Sequence, residues 1–393
     1  MVKQVVVEEP VVHSSFATDT GARESYLIVG TEAHATFAAA LEELDRNYAR
    51  ALEQQDLTDD TLVFTRVFLS DIQNQKDEFR SSKIYTHIKS GAVSIIEQTP
   101  LQGGAVSLLC YHISDDRPVS GKAVLNHSID GWRNGLVYTG MHYAAVWTGS
   151  YAGYGDFDAK LQTQELLTAY SRELERQGMS LLQNGVRTWI YVRDIDNHYG
   201  GMVRARREFF EHQGLTTRSR FLASTGIEGK SKEIDSLVTM DALSYSNLQE
   251  GQIERMEALD NMSPTIRYGV TFERGLRVKF GDRSHLYVSG TASIDRHGDV
   301  LHIGDIRKQT ERAIDNVRAL LSPHNATLND MAYLIVYLRD PKFLSGVMEI
   351  AEREVPAGIP LIAVRGSVCR PTWLVEFEGV GIVKDSNPYP PFI

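Results

Sequence analysis

Three hydrophobic runs of nearly the same composition recur along the chain. They cover residues 63–71, 186–194 and 332–340, and each is rich in β-branched and aromatic residues and ends in Asp. Runs of this kind are typical of buried strands that end in a turn. The distances between the three closing Asp residues are those of whole domains rather than of the short units of a solenoid. The pattern therefore predicts three copies of one domain.

The segments around these strands share a second regularity. Apolar residues recur at helical spacing before and after each strand, and further strand-like runs lie outside the helices. The predicted helices cover residues 38–53, 73–90, 162–182, 202–214, 306–321 and 342–354. The other predicted strands cover residues 25–30, 104–113, 136–148, 285–290 and 373–383. This order predicts an α+β fold in which the helices of each copy cover one face of a mixed sheet.

Breaks in the pattern give the expected domain organisation. Polar segments near residues 115–130 and 230–264 interrupt the regular elements. We therefore expect three tandem modules at residues 1–125, 126–240 and 241–393, with residues 230–264 as a linker.

Composition narrows the class of protein. Hydrophobic residues make up 42% of the chain and charged residues 23%, which is typical of globular domains. A net charge of −10 without a long Lys/Arg block argues against nucleic-acid binding. The apolar runs are too short for a membrane helix, and the first residues lack a signal-peptide pattern. Two cysteines and 12 scattered histidines predict neither a disulfide framework nor a metal site, so we expect a cytoplasmic protein.

The third copy carries the motifs of a known family. These motifs are VSGTAS at residues 288–293, Gly304-Asp305, Gln309, Asn316, Arg339-Asp340, Pro360 and Glu376-Phe-Glu378. Together they resemble the RidA/YjgF module, also described as endoribonuclease L-PSP, over residues 284–383. Modules of that family form homotrimers with ligand clefts between subunits. The resemblance therefore implies that the three modules pack as an intrachain pseudo-trimer, active as a monomer, with three unequal clefts.

A narrower likeness is to the chorismatase branch, in which fused RidA-like modules hydrolyse the enolpyruvyl ether of chorismate. It rests on RTWIY at 187–191, ASTGI at 223–227, TFER at 271–274 and CRPTWLVE at 369–376. Ile190 and Asp196 stand where that branch usually has Asn. The likeness implies a hydrolase for an enolpyruvyl ether of a cyclic carboxylate, which releases pyruvate without cofactor or metal at a site between modules two and three.

Two residues of the third module are the expected catalytic groups. Glu376 and Glu378 are two apart on a predicted strand, so both project to one face. Burial of such a carboxyl raises its pKa and lets it act as a general acid. The resemblance implies that Glu376 protonates the enol ether and that Cys369 lines the same pocket. A solvated or Arg-paired Glu376, and a Cys369 that only packs, are the alternatives.

An anionic substrate favours arginine, whose planar guanidinium binds carboxylates through two hydrogen bonds. The candidate substrate-binding residues are Arg274, Arg187, Tyr191, Trp189, Thr225, Gly226, Arg206 and Arg220. Arg187, Trp189 and Tyr191 share a strand face, which is either a cleft wall or ordinary core. Arg206 is either a ligand or a solvated helix residue. Thr225 and Gly226 either present a hydroxyl and N–H groups to an anion or form a plain turn.

Two other functions fit the same scaffold. One is a non-catalytic protein that binds a small carboxylate. The other is a RidA-type enamine or imine deaminase, in which an arginine on the strand after the second helix holds the substrate carboxylate. In this chain that position is Ile362, and the nearest arginine is Arg365, which weakens the deaminase interpretation.

Overall fold

Three mixed six-stranded sheets with flanking helices form the molecule, which confirms the predicted α+β class. The structure is a computed structural model that describes residues 4–8, 10–19, 22–115, 121–125, 134–154 and 156–393. Much of the segment expected to hold the first domain boundary, near residues 115–130, lies outside the described residues. The domain limits therefore stay predictions.

The first sheet has the order β1-β2-β3-β6-β4-β5, in which only β4 and β5 are parallel. Its elements are β1 (Gln4–Glu8), β2 (Val11–Ala17), β3 (Arg23–Val29), α1 (Phe37–Gln54), β4 (Leu62–Leu69), α2 (Ile72–Ser81), α3 (Lys83–Ile88), β5 (Ala92–Glu97) and β6 (Val106–Ser114). Leu27 and Val67 pack with Leu44 of α1, whereas Tyr26 and Phe64 point to the other modules. The helices thus cover one face of the sheet, and the neighbouring modules cover the other.

The second and third sheets repeat this arrangement, with orders β11-β10-β12-β9-β8-β7 and β13-β14-β15-β18-β16-β17. The second contains β7 (Gly121–Val124), β8 (Gly135–Thr139), β9 (Ala144–Ala152), α4 (Ala159–Arg176), α5 (Leu181–Asn184), β10 (Gly185–Val192), α6 (Ile195–His212), β11 (Ala223–Glu228) and β12 (Val238–Tyr245). The third contains β13 (Ile253–Arg255), β14 (Gly275–Lys279), β15 (Arg283–Ala292), α7 (Ile306–Leu321), β16 (Met331–Leu338), α8 (Leu344–Glu354), β17 (Leu361–Arg365) and β18 (Val375–Lys384).

The closing Asp of each repeat lies at the junction of a strand and the next helical segment. The Asp71 carboxylate accepts a hydrogen bond from the backbone N–H of Asn74, and that of Asp340 accepts one from Lys342. Asp194 occupies the same N-cap position before α6, with a positive φ of 48° and no side-chain cap bond. A short acidic side chain satisfies helix N–H groups that lack a partner, which accounts for the Asp of the first and third repeats.

Backbone bridges join the three modules in a closed cycle. Glu97, at the end of β5, bridges to Lys230, which follows β11. Ile227 of β11 bridges to the segment that follows β17, and Val364 of β17 bridges to Pro100, which follows β5. The edge strand of each module, or the segment that follows it, therefore forms an isolated bridge to the same region of the next module. The third module forms such a bridge to the first.

Two predicted segments differ from the structure. Residues 136–148, expected as one strand, form the hairpin of β8 and β9, whose turn is closed by a hydrogen bond from Gly140 N–H to the Tyr143 carbonyl. The expected linker, 230–264, contains the buried strand β12. Its pattern looks polar because Thr239, Asp241 and Ser244 are buried polar residues.

Helix α6 begins at Ile195, earlier than the predicted 202. Within the described ranges, none of the helices has the length and apolar character that crossing a membrane requires.

Candidate active site

A small cavity lies between the second and third sheets, where β11 faces β15 and β18. Fourteen residues line it: Tyr199, Arg206, Ser224, Thr225, Gly226, Tyr268, Phe272, Arg274, Gly290, Ala292, Ile294, Cys369, Trp373 and Glu376. Its volume is about 20 Å³, which is room for roughly one water molecule. The cavity lies at the module boundary where the sequence analysis expected the site.

Glu376 is the carboxyl at the bottom of this cavity. It lies on β18 opposite Ala292 of β15, and it is only 5% exposed. A Cβ atom at Gly290 would lie 2.4 Å from its Oε1, so glycine at that position leaves the carboxyl its space. Among the described residues Oε1 has no hydrogen-bond partner. This oxygen of the carboxyl is therefore not used in a hydrogen bond within the described residues.

The environment of Glu376 keeps it protonated at neutral pH. Burial, and then the negative charge of Glu378, raise the pKa of Glu376 to about 8, while Arg274 and Arg187 act in the opposite direction. A carboxyl with this pKa carries a proton at pH 7 and can donate it.

Glu378 projects from the same face of β18, but both of its carboxylate oxygens have partners within the protein. Its Oε2 lies 2.6 Å from Nη2 of Arg187, and the Tyr337 hydroxyl donates to Oε1 at 2.8 Å. The Thr225 hydroxyl also donates to it. The two carboxyls thus differ in role: Glu378 is an ion-pair partner, and Glu376 faces the cavity.

Arg206 of α6 is the cation with spare donors. It is 1% exposed, and its Nη1 donates to the Ser224 hydroxyl at 3.3 Å. Its Nε and Nη2 have no hydrogen-bond partner in the part of the chain that the structure describes. Buried N–H groups without partners are costly, so these two donors mark a place for an anion or another acceptor.

Arg274, which precedes β14, supplies a second cation. Its Nε and Nη2 donate to the Ser263 carbonyl at 3.2 and 3.1 Å, and its guanidinium lies 5.4 Å from the centre of the Tyr268 ring. Arg274 and Phe272 also border a neighbouring cavity of about 210 Å³. The small cavity and its larger neighbour therefore share one wall.

Cys369 lines the cavity as a neutral thiol. Burial, and then the nearby Glu376, raise the pKa of Cys369 to about 12, although a hydrogen bond with Tyr199 acts in the opposite direction. A thiol with this pKa is a poor nucleophile at neutral pH. In the described ranges no cluster of three or more His, Cys, Asp or Glu side chains is grouped as a metal site requires.

Four of the predicted binding residues lie outside the cavity. Trp189 stacks on Trp147 with ring centres 6.2 Å apart and is flanked by the guanidinium of Arg187 at 4.8 Å. The Tyr191 hydroxyl donates to Asp241 at 3.1 Å. These side chains are buried in the core because the other modules cover their strand face, which matches the core alternative of the sequence analysis.

Arg220 is the fourth of these residues. Its guanidinium donates to the carbonyl oxygens of Leu182 and Phe221, which uses it within the second module. Thr225, Gly226, Arg206, Arg274, Cys369 and Glu376 are brought together around the cavity as expected.

Sequence reasoning missed the aromatic lining. Tyr199, Tyr268 and Trp373 come from three separate segments, and only Trp373 lies inside a motif that was singled out. The Trp373 indole N–H donates to the Ser293 carbonyl at 2.9 Å, which fixes the ring against β15.

A buried group of charges lies behind the cavity where the modules meet. Arg66 of β4 pairs with Asp241 of β12 at 2.9 Å and lies 3.8 Å from Glu378 of β18. Arg187 of β10 completes this group. These four residues, called here the central ion-pair cluster, come from all three sheets.

Comparison with known proteins places the chain in a family. The sequence model described as Endoribonuclease L-PSP matches residues 278–383. A RutC family protein from Pyrococcus abyssi is 31% identical over 96 residues, which cover 24% of this chain and 76% of that protein. The chain belongs to the RidA/YjgF family. This confirms the resemblance on which the sequence analysis relied.

Two further relatives of this RidA-family chain match it over more than one module. A 3-hydroxybenzoate synthase from Streptomyces hygroscopicus is 27% identical over 217 residues, which cover 49% of this chain. The match spans only 62% of that enzyme's length. A crystal structure of a chorismatase superposes with a TM-score of 0.60 at 17% identity, covering 82% of this chain and 93% of that one. The superposition shows a shared fold.

Proposed function

We propose that this RidA-family protein is a chorismatase-like hydrolase, which cleaves the enolpyruvyl ether of a cyclic carboxylate such as chorismate. The observation that carries the proposal is the buried Glu376, whose raised pKa of about 8 leaves it protonated in a cavity with two arginines. The relatives named 3-hydroxybenzoate synthase and chorismatase support the same reaction class.

The reaction needs one acid and one water molecule. Glu376 gives its proton to the terminal methylene carbon of the enol ether, and the ether carbon becomes an oxocarbenium centre. Water adds to that carbon and loses a proton, which returns to Glu376. The resulting hemiketal collapses, its hydroxyl proton passes to the leaving oxygen, and pyruvate and the ring alcohol are released. No cofactor enters this balance.

The arginines account for the choice of an anionic substrate. The free Nε and Nη2 donors of Arg206 match one carboxylate. Arg274 can exchange the Ser263 carbonyl for a second carboxylate, since a charged acceptor forms the stronger hydrogen bond. A cyclic substrate is larger than this cavity of about 20 Å³, so its binding requires the lining side chains to move, and the neighbouring cavity of about 210 Å³ adjoins them at Arg274 and Phe272.

The cyclic bridging of the modules supports action as a single-chain pseudo-trimer. Every residue that lines the cavity belongs to the second or third module of one chain, so the proposed site needs no second subunit.

The test is pyruvate release from chorismate, followed with a coupled lactate dehydrogenase assay. Glu376→Gln keeps the shape of the carboxyl and removes its proton, so turnover should fall by about 10²–10⁴, the usual contribution of general acid catalysis. Glu349→Gln, an exposed residue of α8, is the matched control and should leave turnover unchanged.

Three outcomes of this assay, combined with measurements of chorismate binding and enamine hydrolysis, contradict the proposal. An active Glu376→Gln variant removes the residue from its role. A parent that binds chorismate without releasing pyruvate is a carboxylate-binding protein instead. A parent inactive on chorismate that hydrolyses enamines is a deaminase.

A further inference from the structure

A second and larger cavity lies between the third and first sheets. Its volume is about 500 Å³, within the usual range of small-molecule pockets. One wall is β17, with Leu361 and Ile362, and the other is formed by Ile28 of β3 and Ser107 of β6. The two cavities share no lining residue, so they are distinct.

The strand register shows that the two cavities are equivalent positions of the repeat. Thr225 pairs with Trp189 and Ile362 pairs with Ile335, and both partners stand five residues before the closing Asp of their repeats. Ile362 therefore takes the place that Thr225 has beside the Glu376 cavity.

The same register locates the carboxyl positions. Glu376 pairs with Tyr337 and Ser107 with Phe68, each three residues before a closing Asp. Ser107 therefore stands where the first cavity has its acid. By the same count Leu109, paired with Arg66, stands in the place of Glu378. The acid of the first cavity and the carboxyl beside it on the strand thus both correspond to uncharged side chains in the first module.

The lining of the second cavity has lost its cations as well. Its apolar side chains are Pro10, Val12, Ile28, Leu361 and Ile362, its uncharged polar side chains are Thr31, Gln102 and Ser107, and its one charged side chain is the exposed Glu32. Among the described residues that line it there is no Lys, Arg or His. An anion bound there would lose its hydration without gaining an ion pair, which is unfavourable.

We propose that this cavity binds an uncharged, mainly apolar small molecule that carries a hydroxyl group. The ligand's ring or chain packs between Ile28 and Ile362, and its hydroxyl pairs with that of Ser107, which can donate and accept a hydrogen bond. The Ser107 side chain is 3% exposed, so this contact is shielded from water. The proposal does not depend on the function of the Glu376 cavity.

The test compares two probes of similar size and different charge, 4-fluorobenzyl alcohol and 4-fluorobenzoate, by ¹⁹F line broadening on the full chain. The alcohol should bind to the parent protein. Ile362→Trp fills the cavity and should weaken the alcohol at least about tenfold, the factor that corresponds to ~1.4 kcal/mol. Arg206→Ala, in the other cavity, should leave the alcohol unchanged and weaken the benzoate.

A second filling variant guards against misfolding. Ser107→Leu places apolar bulk on the opposite wall, and it should also weaken the alcohol while the benzoate still binds. Absence of alcohol binding to the parent, binding of the alcohol to both filled variants as tightly as to the parent, or loss of the alcohol in Arg206→Ala would each overturn the proposal.

Discussion

The proton on Glu376 sets the pH range in which the proposed reaction runs. Because the pKa of Glu376 is raised to about 8 by burial and by Glu378, the acid form predominates below that pH. Turnover should therefore be level around neutral pH and fall as the pH rises through about 8. A pH profile of kcat from the pyruvate assay measures this limb. A fall of kcat centred near the ordinary pKa of Glu would contradict the burial of the carboxyl.

The same shift predicts how stability depends on pH. Between the ordinary pKa of 4.5 and about 8, folded Glu376 holds a proton that the unfolded chain has released. Its contribution to stability is present below that range and is lost as the pH rises through it. The Glu376→Gln variant should lose this dependence in denaturant titrations at several pH values. If the free energy of unfolding of the variant depends on pH as steeply as that of the parent, other groups cause the dependence.

Arg206 should act on binding more than on chemistry. Its two unpartnered donors await an anion, so Arg206→Ala should weaken a carboxylate ligand by about 1.5–3 kcal/mol, the weight of a charged hydrogen bond. Arg220→Ala is the matched control, since Arg220 is half-buried and donates to backbone carbonyls outside the cavity. Calorimetry with a dicarboxylate distinguishes them, and equal effects would remove Arg206 from the site.

At the scale of elements, strand β18 couples the ion pair to the acid. Glu378→Gln leaves Arg187 buried without its counter-charge, which should cost about 3–5 kcal/mol of stability. It also removes the charge that raises the pKa of Glu376, so the falling limb of the pH profile should move to lower pH.

Asp241→Asn is the matched control for Glu378→Gln. Asp241 holds the corresponding position on β12, because it pairs with Trp189 as Glu378 pairs with Ile335. Its variant should lose comparable stability and keep the limb in place, because Asp241 does not contribute to the raised pKa of Glu376. If the falling limb of the pH profile shifts equally in both variants, looser packing around Glu376, rather than the loss of a charge, changes its pKa.

The elements were predictable where local chemistry decides them. The strands and their closing Asp residues are visible because burial and helix capping leave a local pattern. Whether Trp189 and Tyr191 are buried or exposed could not be predicted, because the packing of another module decides whether a strand face is core or cleft. The same holds for Tyr199 and Tyr268, which meet across distant segments. Strand β12 was missed because its buried Asp241 is paired by a residue of another module.

At the scale of the whole molecule, the modules should unfold together. The bridges close a cycle, and Arg66 links all three sheets through Asp241 and Glu378. We expect one calorimetric transition for the full chain. Arg66→Ala leaves two buried carboxylates with less compensation, so it should lower stability by about 3–5 kcal/mol without splitting the transition. Separate transitions in the parent would show that the modules are thermodynamically independent.

The covalent linkage of the modules changes what a single mutation does. In a homotrimer one altered codon reaches every subunit, so each change made in one cleft is repeated in the other two. In this chain Glu376 and Ser107 are encoded separately, and either can change while the other stays. Three modules in one chain thus allow the clefts to differ from one another, and each polypeptide carries them in a fixed one-to-one ratio.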